Sequence, residues 1–224
     1  MFSLFYVEIK IKLDKSKFID VLKVYLFFVN IRLKNNFFKI LLLNLKKLKK
    51  KLKKMQKDKK ETYYQEAVDE LKSILEGETD LILKMSTINS VLKNKFDYYY
   101  WVGFYIVNKL NNKNILNVGP YQGTFGCLHI DFNSGVCGRA AREQQTQVVQ
   151  NVHNDTEHIA CDSNSNSEIV LPVFNNHKKL IAVFDIDSTE LSAFDEIDKI
   201  YLEKILTEHF ENGESSIYWN LDND

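Results

Sequence analysis

Three cysteines, Cys127, Cys137 and Cys161, fall inside one 35-residue window of a 224-residue chain that has no others. Acids crowd the end of that window: Asp162 adjoins the last thiol, and Glu168, Asp185 and Asp187 follow. Gathering every thiol beside carboxylates suggests sulfur chemistry more than packing. A thiol oxidised in turnover needs a second thiol to restore it, and a polar substrate needs charges to hold it. This window supplies both. Taken singly, a cysteine is more often a small buried hydrophobe than a reagent. The trio beside the acids shifts that balance. Zinc asks for closely spaced Cys or Cys/His pairs, whereas the spacings here are C-x9-C and C-x23-C, with His158 as one further ligand candidate.

The acids have a pattern of their own. Along Leu180-Ile-Ala-Val-Phe-Asp185-Ile-Asp187 a strand alternates its faces, so Asp185 and Asp187 project the same way. Adjacent carboxylates repel unless they hold a cation or share a proton. Glu168 opens the preceding strand of a proposed hairpin and is placed to join them. Such a cluster suits a substrate ammonium, or supplies a proton to an oxygen leaving group. A solvent-facing polar edge is the alternative. Cys137 precedes a predicted helix, where backbone N–H groups favour thiolate. Cys161 lies in a polar loop that can deliver it to a pocket mouth, and Cys127 is expected on a strand.

Helices at both ends must position these groups, with a hairpin-rich sheet between them. Tyr63, Ala67, Leu71, Ile74 and Leu75 recur at helical spacing within residues 62–76, and a second helix is predicted over 80–96. Aromatic and β-branched residues over 98–107 and 115–118, separated by Asn111-Asn-Lys-Asn114, predict a hairpin. Strands are expected over 127–132, 147–150, 168–174 and 180–186, and helices over 139–143 and 194–210. The expectation is an α+β fold, a central antiparallel sheet sandwiched by helices.

Net charge is zero for the whole chain, yet residues 1–60 carry 18 Lys/Arg against 4 Asp/Glu, and residues 61–224 carry 12 against 26. The expected organisation is a basic N-terminal extension over 1–60, a catalytic domain over 61–211 and a tail over 212–224. The run from Lys46 to Lys60 admits a basic amphipathic segment, a solvated disordered one, or a start of translation at Met55. Apolar stretches in the extension are too short and interrupted for a transmembrane segment. The acidic part offers no basic stripe, so no nucleic-acid partner is expected. Three cysteines are too few for a disulfide scaffold and fit a reducing, cytoplasmic setting.

The runs Trp101-Val-Gly-Phe-Tyr105, Gly119-Pro-Tyr-Gln-Gly123, Gly135-Val-Cys137-Gly138, His158-Ile-Ala-Cys161-Asp162, Ser167-Glu168-Ile-Val170 and Asp185-Ile-Asp187, with Cys127 between the second and third, closely resemble the free methionine-(R)-sulfoxide reductases, which are GAF-domain enzymes. The resemblance covers roughly residues 63–210; the basic leader and the C-terminal tail lie outside it. It implies that Cys161 attacks the sulfoxide sulfur, becomes a sulfenic acid, and is resolved by Cys127. Cys137 competes for a role. The resemblance also implies that Glu168, Asp185 and Asp187 bind the substrate ammonium and protonate the oxygen, while Trp101 and Tyr105 line the methylthio end. A thioredoxin-type reductant would reopen the disulfide, no metal or organic cofactor is required, and a homodimer is expected. The competing reading is a non-catalytic GAF sensor that binds a small molecule without consuming it.

Overall fold

The computed structural model describes residues 36–159 and 161–212. The expected C-terminal tail lies almost wholly outside them, as does most of the basic leader. The chain divides into two compact units, Met1–Met55 and Gln56–Asp224. In the first, the described residues belong to helix α1, which runs Asn36–Ile74 and takes in the lysine run. No Gly or Pro interrupts α1, and its Leu, Lys, Glu and Ala are strong helix formers. No helix among the described residues is long and apolar enough to cross a membrane.

In the second unit α1 buries Tyr64, Ala67, Val68 and Leu71, a stripe at helical spacing that Leu75 extends just past its end. Gly77, at φ +73°, turns the chain after it. Helix α2 (Leu81–Lys95) starts where the Asp80 side chain accepts from the backbone N–H groups of Ile82 and Leu83. The chain then forms β1 (Trp101–Leu110), β2 (Lys113–Gln122), β3 (His129–Asp131), helix α3 (Gly135–Glu143), β4 (Gln147–Val149), β5 (Ser167–Phe174), β6 (Leu180–Ser188) and helix α4 (Glu196–Leu206). All five pairings are antiparallel, in the order β3-β2-β1-β6-β5-β4. Asn111 and Asn112 take positive φ at the β1–β2 turn, the left-handed backbone that Asn tolerates. The result is the expected α+β architecture, a six-stranded antiparallel sheet with helices on both faces.

The two faces pack differently. One carries a large apolar core shared with α1, α2 and α4, including Phe104, Phe184, Ile186, Ile169 and Leu171. Beside this core Asp198, wholly buried, accepts from the Tyr64 and Tyr98 hydroxyls at 2.8 and 2.7 Å and pairs with Lys60. The other face is covered by α3 over a smaller cluster of Trp101, Tyr105, Val136, Cys137, Ala140, Val170 and Val183. Every residue that the sequence singles out for chemistry belongs to this second side.

Candidate active site

Register sets the floor of the site. Trp101 on β1 lies opposite Asp187 on β6, which lies opposite Glu168 on β5; in the next row Gly103, Asp185 and Val170 align, and Tyr105 follows opposite Val183. Period-two alternation sends all of these to the α3 face. The carboxylates of Glu168, Asp185 and Asp187 therefore converge, with ligand atoms within 4.8 Å of one another. Together with Trp101, Tyr105, Cys137, His158 and Cys161 they line one pocket, whose enclosed volume is about 40 Å³. That is room for about three waters.

Burial governs the protonation of the acids. It pushes Glu168 and Asp185 well above the usual carboxylate range, with Asp187 adding repulsion to both. Asp187 is raised by burial to about 6, a hydrogen bond from Ser165 and the charge of His158 opposing the rise. Burial thus favours the protonated form of Glu168 and Asp185, and Asp187, at about 6, is the member whose raised value is still near neutrality. Asp185 Oδ1 is buried with no hydrogen-bond partner among the described residues. A protonated carboxyl can donate as well as accept.

The thiols are divided. Cys127 and Cys161 form a disulfide across 34 residues of sequence, with Cα atoms 5.4 Å apart. Cys127 does not sit on a strand as expected. β3 begins only at His129, and the preceding residues, with Gly123 and Gly126, form a loop wrapped around the Trp101 ring. The Tyr105 hydroxyl takes a hydrogen bond from the Cys127 backbone and fastens this loop to the floor. Cys137 is a free, buried thiol. It lies inside the first turn of α3, and its thiol is pushed up by burial and by the nearby Asp185, Glu168 and Asp187, opposite to the thiolate expected of a helix start. Desolvation and adjacent carboxyls outweigh the helix dipole there. Its S–H is a hydrogen-bond donor to Asp185.

Several supporting contacts escaped the sequence reading. The Asp162 carboxylate accepts from Thr124 Oγ1 at 2.6 Å and from Tyr100 Oη at 2.9 Å, which ties the Cys161 loop to the Cys127 loop. Those hydrogen bonds, the Thr124 one foremost, hold Asp162 down to about 2. Arg139 of α3 grips Asp155 with two nitrogens at 3.0 and 2.7 Å, and Arg142 reaches Glu157 at 3.0 Å. Both clamp the loop that leads to Cys161. His158 Nδ1 lies 2.9 Å from Glu168 Oε1. None of these pairings leaves a periodic or spacing signal, because each joins elements distant in sequence. Gly103 is the exception in kind. A Cβ there would come within 2.5 Å of Trp101 Cη2, so the glycine of the Trp-Val-Gly run makes room for the indole.

The arrangement sets a disulfide-bonded cysteine pair beside three converging carboxyl groups and two aromatic rings. It can bind a small cation, protonate an oxygen and pass electrons from sulfur. Residues 99–208 match the GAF domain family. GAF domain-containing protein A of Dictyostelium discoideum is 40% identical over 147 residues, which span 66% of this chain and 90% of that protein. The free methionine-R-sulfoxide reductase of Saccharomyces cerevisiae is 35% identical over 150 residues, 65% of this chain and 83% of that enzyme. Among solved structures, the free methionine-R-sulfoxide reductase of Neisseria meningitidis in complex with its substrate superimposes with a TM-score of 0.60 at 39% identity, covering 64% of this chain and 84% of that one.

Proposed function

The chain belongs to the GAF-domain family of free methionine-(R)-sulfoxide reductases, and on that premise we propose that it reduces free L-methionine-(R)-sulfoxide to L-methionine with Cys161 as the attacking thiol. One observation carries the proposal: Cys161, bonded to Cys127, opens onto the same pocket as the three-carboxyl cluster and the Trp101–Tyr105 pair. The catalytic unit is assigned to residues 61–211.

Asp187, ionised at neutral pH, holds the substrate ammonium, and protonated Glu168 donates to the sulfoxide oxygen. The methylthio end lies against Trp101 and Tyr105, whose rings stack 5.6 Å apart and favour sulfur contact. With ammonium and oxygen both fixed, only one configuration at sulfur puts the methyl group on the aromatic side. The Cys161 thiolate attacks the sulfoxide sulfur; the oxygen takes a proton from Glu168 and passes to Cys161 as a sulfenic acid, and methionine departs reduced by two electrons. Cys127 then displaces water from that sulfenic acid to form the disulfide. A thioredoxin-type dithiol of the cytoplasm reopens it. Cys137 is the neutral thiol that steadies Asp185.

The test uses the full chain reduced beforehand, each sulfoxide epimer in turn, and quantified methionine. The expected result is about one methionine per enzyme from the R epimer alone, and none from Cys161→Ser. Methionine from the S epimer, or full activity in Cys161→Ser, would overturn the assignment.

A further inference from the structure

We propose that His158 returns the proton that each turnover takes from Glu168, and so acts as the relay between the attacking thiol and the buried acid. The inference rests on the sulfoxide reductase reading above and assigns that site a residue with a role of its own.

The reaction has a proton problem. Attack requires Cys161 to lose its thiol proton, and the sulfoxide oxygen must gain one, which Glu168 supplies. The count balances, since one S–H bond breaks and one O–H bond forms, but the two events occur at different places. Unless a group carries a proton from the thiol side to Glu168, the acid is left ionised in a buried site. Glu168 is buried and cannot exchange readily with solvent.

His158 is placed to carry it. Its Nδ1 is 2.9 Å from Glu168 Oε1, and its side chain is 14% exposed against 5% for Glu168. It sits three residues before Cys161 on the same loop, and both line the pocket. The imidazole thus touches the buried acid on one side and retains access to the pocket and solvent on the other. It is the only side-chain hydrogen-bond partner of Glu168 among the described residues. An imidazole can accept a proton at Nε2 while releasing another from Nδ1, which a carboxamide cannot.

The charges around His158 fit a transient imidazolium. Asp187 on β6 and Asp155 on its own loop both favour the charged ring, while burial opposes it and keeps the resting ring neutral. Glu168 on β5 faces it directly, and Arg139 on α3 lies behind Asp155, neutralising part of that carboxylate's pull. In the resting pair, the Nδ1–H of the neutral ring donates to Glu168 Oε1, and the carboxyl proton is carried on Oε2. After Glu168 yields its proton to the oxygen, the Cys161 proton reaches Nε2 and the Nδ1 proton moves to Glu168 Oε1. Glu168 is again protonated with no proton taken from bulk water, the ring proton having passed from Nδ1 to Nε2. His158 acts through Glu168 and is in that sense a positioning residue.

The test follows a single turnover of full-length enzyme, reduced beforehand and freed of reductant, so that recycling plays no part. His158→Gln keeps a hydrogen-bond partner for Glu168 and removes the relay; methionine formation should slow by roughly 100-fold, the scale of one acid–base function, with KM little changed. His158→Ala should be equally slow and should recover with added imidazole, in proportion to the imidazole concentration. Its rate should also depend on buffer where the wild type's does not. A His158→Gln enzyme as fast as the wild type would overturn the relay, and so would a slow His158→Ala enzyme that imidazole leaves unchanged. Failure of the parent reading is distinct: the wild type itself would then release no methionine, and both proposals would fall together.

Discussion

Asp187 and Glu168 face each other across one row of the sheet, both raised by burial, Asp187 to about 6 and Glu168 well above its ordinary range, and the proposed function gives them different tasks. The division predicts separable defects. Asp187→Asn removes the charge that holds an ammonium; KM should rise about 30-fold, close to the roughly 2 kcal/mol of a charge-assisted hydrogen bond, with kcat falling much less. Glu168→Gln removes a proton donor and should lower kcat by roughly 100-fold while leaving KM near its original value. Steady-state kinetics of the two variants check the assignment, and an exchange of the two phenotypes would reverse it. The pairing of Asp185 with Asp187 was legible in sequence because a strand's period of two is a local rule. Their protonation was not. It depends on how deeply α3 and the loops bury them, which no local pattern encodes.

At the scale of elements, the site depends on two loops being pinned to a sheet and a helix. Tyr105 and Asp162 hold the Cys127 loop, and Arg139 and Arg142 hold the approach to Cys161. Strand β1 contributes by omission, because Gly103 leaves the space into which the Trp101 ring folds over the pocket. Gly103→Ala should force that ring outward, at the 1–3 kcal/mol typical of overpacking. Stability should drop modestly and kcat/KM by roughly tenfold or more, with Tm and kinetics measured on the same sample. An unchanged KM would mean that the ring does not contact substrate. The hairpins and both flanking helices were legible because turn residues and periodic stripes mark them. The placement of Cys127 misled, since the alternating run from 127 to 132 resembles a strand although only His129–Asp131 of it pairs with β2. Cys137 misled for a related reason: a helix start favours thiolate only where solvent or cations assist, and here three acids and a closed core oppose it.

For the molecule as a whole, one face of the sheet carries the larger core and the other carries the chemistry. The helical face, with its large core and the Tyr64–Tyr98–Asp198 contacts, supplies stability that the pocket face draws on. Glu168, Asp185 and Asp187 all bind protons more tightly folded than unfolded. Between the unfolded and folded values the native chain therefore holds more protons than the unfolded chain, and stability falls as pH rises. For Asp187 that window runs from its ordinary 3.8 to about 6; Glu168 and Asp185 extend the decline above it. The contribution is fully present below the ordinary carboxylate range and is lost as each folded value is passed. Asp185→Asn removes one of these titrations while keeping an oxygen that can accept from Cys137. With the disulfide intact, this variant should match the wild type near pH 5 and exceed it at pH 8 by about 3 °C in Tm, the shift that roughly 1 kcal/mol produces in a domain of this size. Its activity should fall, because stability gained by neutralising a buried acid is taken from the site that uses it. Parallel Tm curves for the two proteins across pH 5–8 would mean that Asp185 is not held protonated by the fold.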